Sequence, residues 1–262
     1  MCSLYPLSSY LCSVTIKKYY PYISVIIPAF NEELSLPKVI LDLPRELIQE
    51  IIVVDNASTD RTSLVAKLNN CRVVHEPQKG YGRACLTGIN ALNPLTEIVV
   101  FIDGDHSDHG DQIRNILDPI IDHGYDFVIG SRALGVRESG AMTPQSYWGN
   151  KLACFLMKIC WGFSYTDLGP LRAITYQALK QLRMCDQDFG WTIEMQIKAV
   201  QNNLKIIEVP VDYRRRIGKS KISGTVKGAF SAGEKIIKTI FKYKYCTRKT
   251  TVTNLYRNRA DE

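Results

Sequence analysis

The sequence has no apolar run long enough to cross a lipid bilayer. A membrane-spanning helix needs about 18 to 20 consecutive apolar residues, whereas the best candidate, Leu152 to Phe163, is shorter and contains Lys158. The opening residues are apolar and aromatic, but they have neither a basic start nor a small-residue cleavage site, so no secretory signal is expected. We therefore expect a soluble or peripherally membrane-bound protein.

The sequence also lacks the cysteine and histidine spacings of a zinc site, internal repeats and low-complexity segments. Its cysteines, at positions 2, 12, 71, 85, 154, 160, 185 and 246, include no Cys-x-x-Cys pair, and its 4 histidines do not cluster. This pattern is typical of reduced, mostly buried thiols. It predicts a cytoplasmic protein, with contact at the cytoplasmic face of a membrane as a further expectation.

Basic charge is concentrated at the end of the chain. From Tyr213 onward there are 14 Lys and Arg against 3 Asp and Glu, whereas the preceding residues carry 19 against 23. Such asymmetry indicates an anionic partner, such as a phosphorylated substrate or a membrane surface. The alternative is a solvated basic tail. A nucleic acid is not expected, because no recognition motif accompanies the charge.

Short β-branched runs alternate with amphipathic stretches through the first half. Buried strands are predicted at 24–28, 50–55, 71–75, 97–103 and 126–130, with helices between them at 34–43, 59–69, 82–92 and 111–123. The second half adds helices at 145–160, 176–182 and 191–201 and a strand at 205–211. With 262 residues, this rhythm predicts one α/β domain with a mostly parallel sheet and flanking helices.

Carboxylates follow the buried strand at 97–103. Asp103 and Asp105 are separated only by Gly104, and ligands of open α/β sheets bind beyond the carboxyl ends of the strands. Mg²⁺ and Mn²⁺ prefer oxygen ligands and are commonly shared between one or two carboxylates and substrate phosphates. The pair therefore indicates a divalent cation site. A simple turn is the alternative interpretation.

Two further strand ends carry candidate nucleotide contacts. Asp55 ends the second strand, where an acidic residue can accept hydrogen bonds from a ribose; a helix-capping or turn aspartate is the alternative. Lys79, in the stretch from Glu76 to Gly82, lies among glycines as in a phosphate-binding loop, although the spacing of a Walker A motif is missing. The glycines alternatively only begin a helix.

Four motifs occur in the order typical of family 2 glycosyltransferases: Ser24-Val-Ile-Ile-Pro-Ala-Phe-Asn-Glu32, Val53-Val-Asp-Asn-Ala-Ser-Thr-Asp60, Asp103-Gly-Asp105 and Gly130-Ser-Arg132. The sequence resembles this family and its GT-A fold. Later segments, at 167–172, 189–194 and 208–221, resemble the branch that contains dolichyl-phosphate mannose and glucose synthases. The resemblance covers roughly residues 22–225.

The resemblance implies a division of the chain. A GT-A domain is expected at 22–224, with a nucleotide-binding half at about 22–132 and an acceptor half at about 133–224. An N-terminal extension would occupy 1–21 and a basic amphipathic tail 225–262. The tail has apolar residues at helical spacing beside lysines, which is typical of a helix on an anionic membrane. A helix packed on the domain is the alternative.

The resemblance also implies roles for the nucleotide-side residues. Pro28, Phe30, Glu32 and Asp55 would surround the base and ribose, with Phe30 standing where a tyrosine is frequent. Asp103 and Asp105 would hold Mg²⁺ or Mn²⁺, with Asp105 the more direct ligand. A third metal ligand is expected at Ser107, and His106 or Asp108 could compensate for its short side chain.

Transfer and acceptor binding are assigned to the later motifs. Arg215 and Lys221 would stabilise the leaving nucleoside diphosphate. Arg132 would hold an acceptor phosphate through its fork of donors; a salt bridge to a neighbouring carboxylate is the alternative. Trp191 and Glu194 are one helical turn apart and would line the acceptor site. The alternative for this pair is a core tryptophan with a surface glutamate.

The expected function is inverting transfer of a sugar from a UDP- or GDP-hexose to a polyprenyl phosphate. An acceptor phosphate is already ionised, whereas a saccharide or small-molecule hydroxyl would need a general base, for which Asp188 is the candidate. The hydroxyl acceptor is therefore one alternative. A non-catalytic protein that binds nucleotide-sugars or membrane surfaces is another. A membrane partner subunit could also supply contact with the bilayer.

Overall fold

The computed structural model describes residues 20–218 and 233–245. Most of the predicted N-terminal extension, Lys221, and the parts of the predicted tail at 225–232 and 246–262 lie outside the described residues. Within the described parts, no helix combines the length and apolarity needed to cross a membrane.

Strands and helices alternate along the first half of the chain. In order these are β1 (Ile23–Ala29), α1 (Leu36–Asp42), β2 (Glu50–Asp55), α2 (Thr62–Leu68), β3 (Arg72–His75), α3 (Tyr81–Asn90) and β4 (Ile98–Phe101). A 3-10 turn at Gly110–Gln112 leads into α4 (Ile113–His123), which precedes β5 (Phe127–Ser131). The second half contains α5 (Pro144–Trp161), β6 (Arg172–Thr175), α6 (Tyr176–Leu182), α7 (Trp191–Gln201) and β7 (Ile206–Pro210).

The seven strands form one sheet in the order β3-β2-β1-β4-β6-β5-β7. Strands β1 to β4 pair in parallel where they are neighbours, and β7 pairs in parallel with β5. Strand β6 runs antiparallel to both of its neighbours, β4 and β5. The predicted α/β domain with a mostly parallel sheet is therefore confirmed, and six strands end at the same edge.

Strand β6 was not predicted from the sequence. It has only four residues, leads directly into α6, and begins with Arg172, whose side chain is fully buried. The Arg172 guanidinium donates to the carbonyl oxygens of Gly169 and Thr192. Pairing with β4 and β5, which are distant in sequence, places the segment in the sheet, and a local apolar pattern does not reveal such pairing.

Apolar side chains fill a core on each face of the sheet. In β1, Val25 and Ile27 face one core, which also contains residues of α1, α2 and α4, whereas Ile26 faces the other. The second core includes residues of α3, α5, α6 and α7 and Ile240 of the C-terminal helix. Alternation along strands buried on both faces produces this three-layer arrangement.

The described part of the predicted tail is a helix at 233–245. Its Thr239 and Ile240 are buried, and Tyr243 and Ile236 pack against the second core. The packed-helix alternative therefore applies to these residues. Residues 219–232 and 246–262 lie outside the described chain.

The second helix begins later than predicted. Its first residue is Thr62, with Arg61 at the N-cap, so the segment from Asn56 to Asp60 does not supply the cap residue. Instead Asp60 accepts from the Thr62 amide at 2.9 Å. The preceding polar residues form a loop at the carboxyl end of β2, beside a cavity.

Candidate functional site

A cavity of about 390 Å³ lies at the carboxyl ends of β1, β2 and β4. It brings together seven of the predicted site residues: Pro28, Phe30, Glu32, Lys79, Asp103, Asp105 and Asp188. The remaining lining residues were not predicted: Ala29, Asn56, Gly80, Tyr81, Ala84, Gly104, Phe189 and Arg216. The cavity thus joins strand ends from the first half to a loop and a basic segment from the second.

The carboxylate pair that follows β4 is held by specific donors. The Tyr81 hydroxyl donates to Asp103 Oδ1 at 2.9 Å. Asp105 Oδ1 accepts from the Ser107 amide at 2.9 Å and from its hydroxyl at 2.5 Å, while Arg216 Nη1 lies 3.0 Å from Asp105 Oδ2. The Ser107 hydroxyl therefore donates to Asp105. It was predicted to be a third metal ligand, a role in which its oxygen would bind the cation.

The two neighbouring carboxylates repel each other and would be stabilised by a nearby cation. Burial, followed by the negative charge of Asp105, raises the pKa of Asp103 to about 6. Among residues 20–218 and 233–245, no group of three His, Cys, Asp or Glu side chains is arranged to hold a metal alone. Two carboxylates beside an open cavity nevertheless match a divalent cation that also takes phosphate oxygens. The donor set therefore fits Mg²⁺ or Mn²⁺ shared with a substrate.

Neither His106 nor Asp108 lines the cavity. His106 Nε2 lies 3.0 Å from Asp42 Oδ2. Asp108 is 2% exposed, and neither of its carboxylate oxygens has a hydrogen-bond partner in the described part of the chain. Burial, followed by the charge of Asp103, raises the pKa of Asp108 well above its ordinary value. These positions do not support the expectation that either residue replaces Ser107 as a ligand.

The other end of the cavity is aromatic and basic. Lys79 Nζ lies 4.4 Å from the centroid of the Phe30 ring, and Pro28 lines the same wall. Asn56 fixes the loop that carries Lys79, because its side-chain amide donates to the carbonyl oxygens of Glu76 and Gln78. An aromatic ring and an adjacent cation can take the flat face of a nucleobase and a nearby anionic group.

Asp55 has a structural role at the end of β2. Its Oδ1 accepts from the Ser58 amide at 3.0 Å, and its Oδ2 accepts from the Ser63 hydroxyl. His75 Nδ1 is 3.4 Å from the same Oδ2. Asp55 is not among the cavity-lining residues, so the geometry agrees with the turn-aspartate alternative.

The loop that carries Asp188 and Phe189 closes one side of the cavity. It lies directly on the start of α3, where the Arg83 amide donates to the Gln187 carbonyl at 3.0 Å. A Cβ atom at Gly82 would overlap the carbonyl oxygen of Asp186. Glycine at this position therefore allows the helix and the loop to approach each other.

Glu194 anchors this loop from beneath. Its fully buried carboxylate accepts from the amides of Cys185 and Asp186 at 3.1 and 2.7 Å. Lys198 Nζ lies 2.8 Å from Glu194 Oε1, and the Tyr243 hydroxyl donates to the same oxygen at 2.5 Å. Although burial alone would raise the pKa of Glu194, hydrogen bonds from Cys185, Lys198 and Tyr243 hold it below its ordinary value.

Trp191 and Glu194 therefore do not line an acceptor site. Trp191 is fully buried, and its ring centroid is 4.8 Å from that of Phe101 in an edge-to-face contact. The two residues share an inward-facing side of α7, as their spacing predicts. The core-tryptophan alternative is correct, but Glu194 is buried and not on the surface.

The basic segment presents Arg216, and not Arg215, to the carboxylate pair. Arg215 Nε donates to the Ser139 carbonyl at 2.6 Å, and its amide donates to Glu138. The placement follows from backbone pairing of the segment, in which the Ile217 amide donates to the Asp105 carbonyl. The residue predicted from the sequence, Arg215, lies in the same segment but faces away from the carboxylates.

Arg132 forms the salt bridge that the alternative interpretation predicted. Its Nε and Nη2 donate to Asp167 at 2.7 and 2.8 Å, and its guanidinium lies 4.9 Å from the centroid of the Tyr213 ring. Burial and the charge of Asp105 raise the pKa of Asp103, and the nearby charge of Arg132 opposes part of that rise. Arg132 is therefore near the carboxylate pair, and Asp167 accepts hydrogen bonds from its Nε and Nη2.

Comparison with known proteins agrees with this architecture. The family model described as Glycosyl transferase family 2 matches residues 24–182. An uncharacterized glycosyltransferase of Mycobacterium tuberculosis strain H37Rv is 33% identical over 216 residues, covering 80% of this chain and 94% of the relative. A dolichyl-phosphate hexose transferase of Haloferax volcanii is 30% identical over 223 residues, covering 82% and 92%.

A solved structure shows the same fold. Glucosyl-3-phosphoglycerate synthase from Mycobacterium tuberculosis, in complex with Mn²⁺, UDP-glucose and phosphoglyceric acid, superimposes with a TM-score of 0.69 at 23% identity. The match covers 86% of this chain and 80% of that one. The fold and the site thus define a glycosyltransferase with the GT-A fold. More specifically, the chain belongs to glycosyl transferase family 2.

Replacing Glu194 by glutamine should destabilise the fold. Removing one partner of a buried ion pair typically costs about 3 kcal/mol or more, because Lys198 and the loop amides lose their acceptor charge. The control is Glu234→Gln, since Glu234 forms an exposed pair with Lys238 at the same i,i+4 spacing; there the expected cost is below about 1 kcal/mol. Urea unfolding at pH 7 measures both.

The effect of Glu194→Gln should also depend on pH. Because the folded pKa of Glu194 is lowered, its stabilisation is present above the unfolded pKa of about 4.3 and is lost as pH falls through the folded pKa. The difference in unfolding free energy between wild type and variant should therefore shrink in acid. A difference that is constant from pH 7 to pH 3 would contradict the anchoring role.

Proposed function

We propose that the chain is an inverting glycosyltransferase that moves a hexose from a UDP- or GDP-sugar to a polyprenyl phosphate of the dolichyl type. The observation that most supports this proposal is that one cavity holds an aromatic ring at one end and the Asp103–Asp105 pair with Arg216 at the other. This arrangement suits a nucleobase joined to a diphosphate. The name of the Haloferax relative supports the lipid-phosphate acceptor.

The donor would lie along the cavity. Its base would pack against Phe30 and Pro28, with Lys79 beside it, and its diphosphate would reach the carboxylates. Asp103 and Asp105 would hold Mg²⁺ or Mn²⁺, and the bound cation would supply charge neutralisation of the diphosphate. The solved structure containing Mn²⁺ and UDP-glucose supports this arrangement.

Arg216 would take the role that the sequence assigned to Arg215. Its guanidinium is already 3.0 Å from Asp105, so it lies where negative charge develops as the nucleoside diphosphate leaves. A preorganised cation at such a position stabilises the transition state more than the ground state. Lys221 keeps its expected role in stabilising the leaving nucleoside diphosphate and lies outside the described residues.

Arg132 would meet the acceptor phosphate. Asp167 engages its Nε and Nη2, which leaves Nη1 as the donor group for a phosphate oxygen. The ion pair fixes the guanidinium plane, so little side-chain entropy remains to be lost on binding. An ionised phosphate oxygen can attack the anomeric carbon in line, without a general base.

A hydroxyl acceptor is the second candidate, and the position of Asp188 favours it. Asp188 lines the cavity, where its carboxylate could accept the proton of an attacking hydroxyl. The solved structure with phosphoglyceric acid lends support to a small phosphorylated acceptor. A non-catalytic binding protein is the third alternative, and measurable sugar transfer would exclude it.

Asp105→Asn should lower metal-dependent transfer by about 100-fold or more, since loss of several kcal/mol of charge stabilisation has that effect. The assay follows radiolabelled UDP- and GDP-sugars into organic-extractable polyprenyl phosphate, with Mg²⁺, Mn²⁺ or chelator. Asp111→Asn is the matched control, because Asp111 is exposed and lies outside the cavity. Full metal-dependent activity of the Asp105 variant would disprove the metal assignment.

Arg216→Ala should reduce kcat by about 100-fold, by analogy with the loss of one preorganised donor to a developing anion. Arg215→Ala should retain activity within a few fold, because its guanidinium contacts the Ser139 carbonyl outside the cavity. Steady-state kinetics with a saturating acceptor compares the two neighbours. A larger loss for Arg215 would show that the segment rearranges when donor binds.

Asp188→Asn distinguishes the two acceptor classes. Transfer to a polyprenyl phosphate should change by less than about tenfold, whereas transfer to a hydroxyl should fall by about 100-fold or more, because only the hydroxyl needs a base. Both acceptors are tested with the same donor and metal. Large losses with the lipid phosphate would assign Asp188 to the donor site and not to the acceptor.

A further inference from the structure

Helix α5 (Pro144–Trp161) is apolar on two opposite faces. Its inward face buries Ala153, Cys154 and Met157 in the second core. Its outward face carries four large exposed apolar residues, with exposed fractions of 66%, 45%, 59% and 63%: Trp148, Leu152, Phe155 and Ile159. A helix that is apolar on both sides has a second apolar surface to cover.

The four residues form a continuous stripe. Their spacing of four, three and four residues places them on one side of an α-helix, over a length of roughly 17 Å at 1.5 Å per residue. Isolated exposed apolar residues are common on soluble proteins, but contiguous ones mark interaction sites. We call this set the α5 stripe.

Basic side chains border the α5 stripe. Lys151 Nζ lies 5.9 Å from the centroid of the Trp148 ring, and Lys158 is on the exposed part of the same helix. Near the helix end, Lys244 Nζ is 5.7 Å from the centroid of the Trp161 ring. The sequence of α5 contains no Asp or Glu. An apolar stripe with tryptophan and bordering lysines matches the interface of an anionic bilayer.

We propose that the α5 stripe docks this protein on an anionic lipid surface. A second copy of the chain would fit less well, because a two-fold contact through α5 would bring its lysines close to one another. The chain termini outside the described residues also carry net positive charge, so the lysines that border the α5 stripe would repel them. Residues 1–19 contain two Lys and no Asp or Glu, and residues 246–262 contain four Lys and Arg against two acidic residues.

The surface is connected to the acceptor side of the site. On α5, Asn150 Oδ1 accepts from the Leu168 amide at 2.8 Å, and the adjacent Asp167 holds Arg132. Helix α5 thus carries the α5 stripe on its outer side and supports the loop that holds Arg132 from its inner side, which would bring a docked lipid surface near the acceptor side of the site. This consequence depends on the proposed lipid-phosphate acceptor, whereas the docking itself does not.

Vesicle flotation of the full-length chain tests the proposal. Wild type should float with vesicles that contain anionic phosphatidylglycerol and much less with neutral phosphatidylcholine. The double variant Leu152→Gln/Phe155→Gln should bind these vesicles at least about tenfold more weakly, because two apolar side chains that would enter the bilayer are lost. The matched control is Leu41→Gln/Leu68→Gln, since Leu41 and Leu68 are 83% and 73% exposed on α1 and α2; it should float like wild type.

A spectroscopic readout locates the contact. Brominated lipids quench tryptophans that enter the bilayer, so they should quench wild type strongly and Trp148→Phe much less, with the remaining quenching due to the half-buried Trp161 at the helix end, while the buried Trp191 stays unaffected. Lys151→Gln/Lys158→Gln should weaken binding to anionic vesicles by about tenfold and leave neutral vesicles unchanged. Equal flotation of the stripe variant, or quenching of Trp148→Phe equal to that of wild type, would overturn the proposal.

The other occupants give distinct results. If a second copy covers the stripe, light scattering will show a wild-type dimer that the Leu152/Phe155 variant converts to a monomer, with no flotation. If a terminus covers it, the full-length chain will not float, and deletion of residues 1–19 or 246–262 will enable it to do so. Both results overturn lipid docking. Sugar transfer to detergent-dispersed polyprenyl phosphate tests the proposed function separately, because it requires no vesicle.

Discussion

The arrangement of the site depends on negative charge concentrated at the end of β4. Asp103 and Asp105 stand together at a buried strand end, where water can solvate them only partly, and this raises the pKa of Asp103 to about 6. Each neighbouring group offsets that charge in its own way. Tyr81 and Ser107 donate hydrogen bonds, and Arg216 provides a cation.

This constraint explains why a distant basic segment lies across the strand end. Arg214 and Arg216 belong to the segment that follows β7, and backbone hydrogen bonds align it with residues 105–107. Arg214 uses its guanidinium elsewhere, on Asp42. One arginine thus secures the segment, while the other faces the carboxylates. One charge from the basic end of the sequence, that of Arg216, therefore lies at a carboxylate site formed by its first half.

The sequence identified the fold because its strongest patterns are local. Runs such as Glu50–Asp55 are continuous and β-branched, and they predicted strands that the structure contains. The short strand Arg172–Thr175 was not predicted, because its place between β4 and β5 depends on pairing with residues that are distant in sequence. Sequence periodicity records which face of an element is apolar, but it does not record which strand lies beside it.

Several residues predicted from the ends of buried strands lie in the cavity, although Asp55 at the end of β2 does not. Asp103, Asp105 and Phe30 lie in the cavity as expected. Glu194 was expected at an acceptor site or on the surface, but it is buried. Its spacing from Trp191 specified that the two residues share a face of the helix, but not whether that face is inside. Arg216, and not the predicted Arg215, faces the carboxylates, because the direction of a side chain in an irregular segment is set by its backbone pairing.

The Glu194 anchor also has a consequence for the order in which the protein matures. The Asp188 loop is held by a carboxylate that receives its shortest hydrogen bond from Tyr243, near the end of the described chain. A ribosome releases the sheet and its strand ends well before that tyrosine. Until residues 233–245 are synthesised, the nascent polypeptide can therefore assemble the carboxylate end of its cavity, but the wall formed by the Asp188 loop lacks the hydrogen bond from Tyr243.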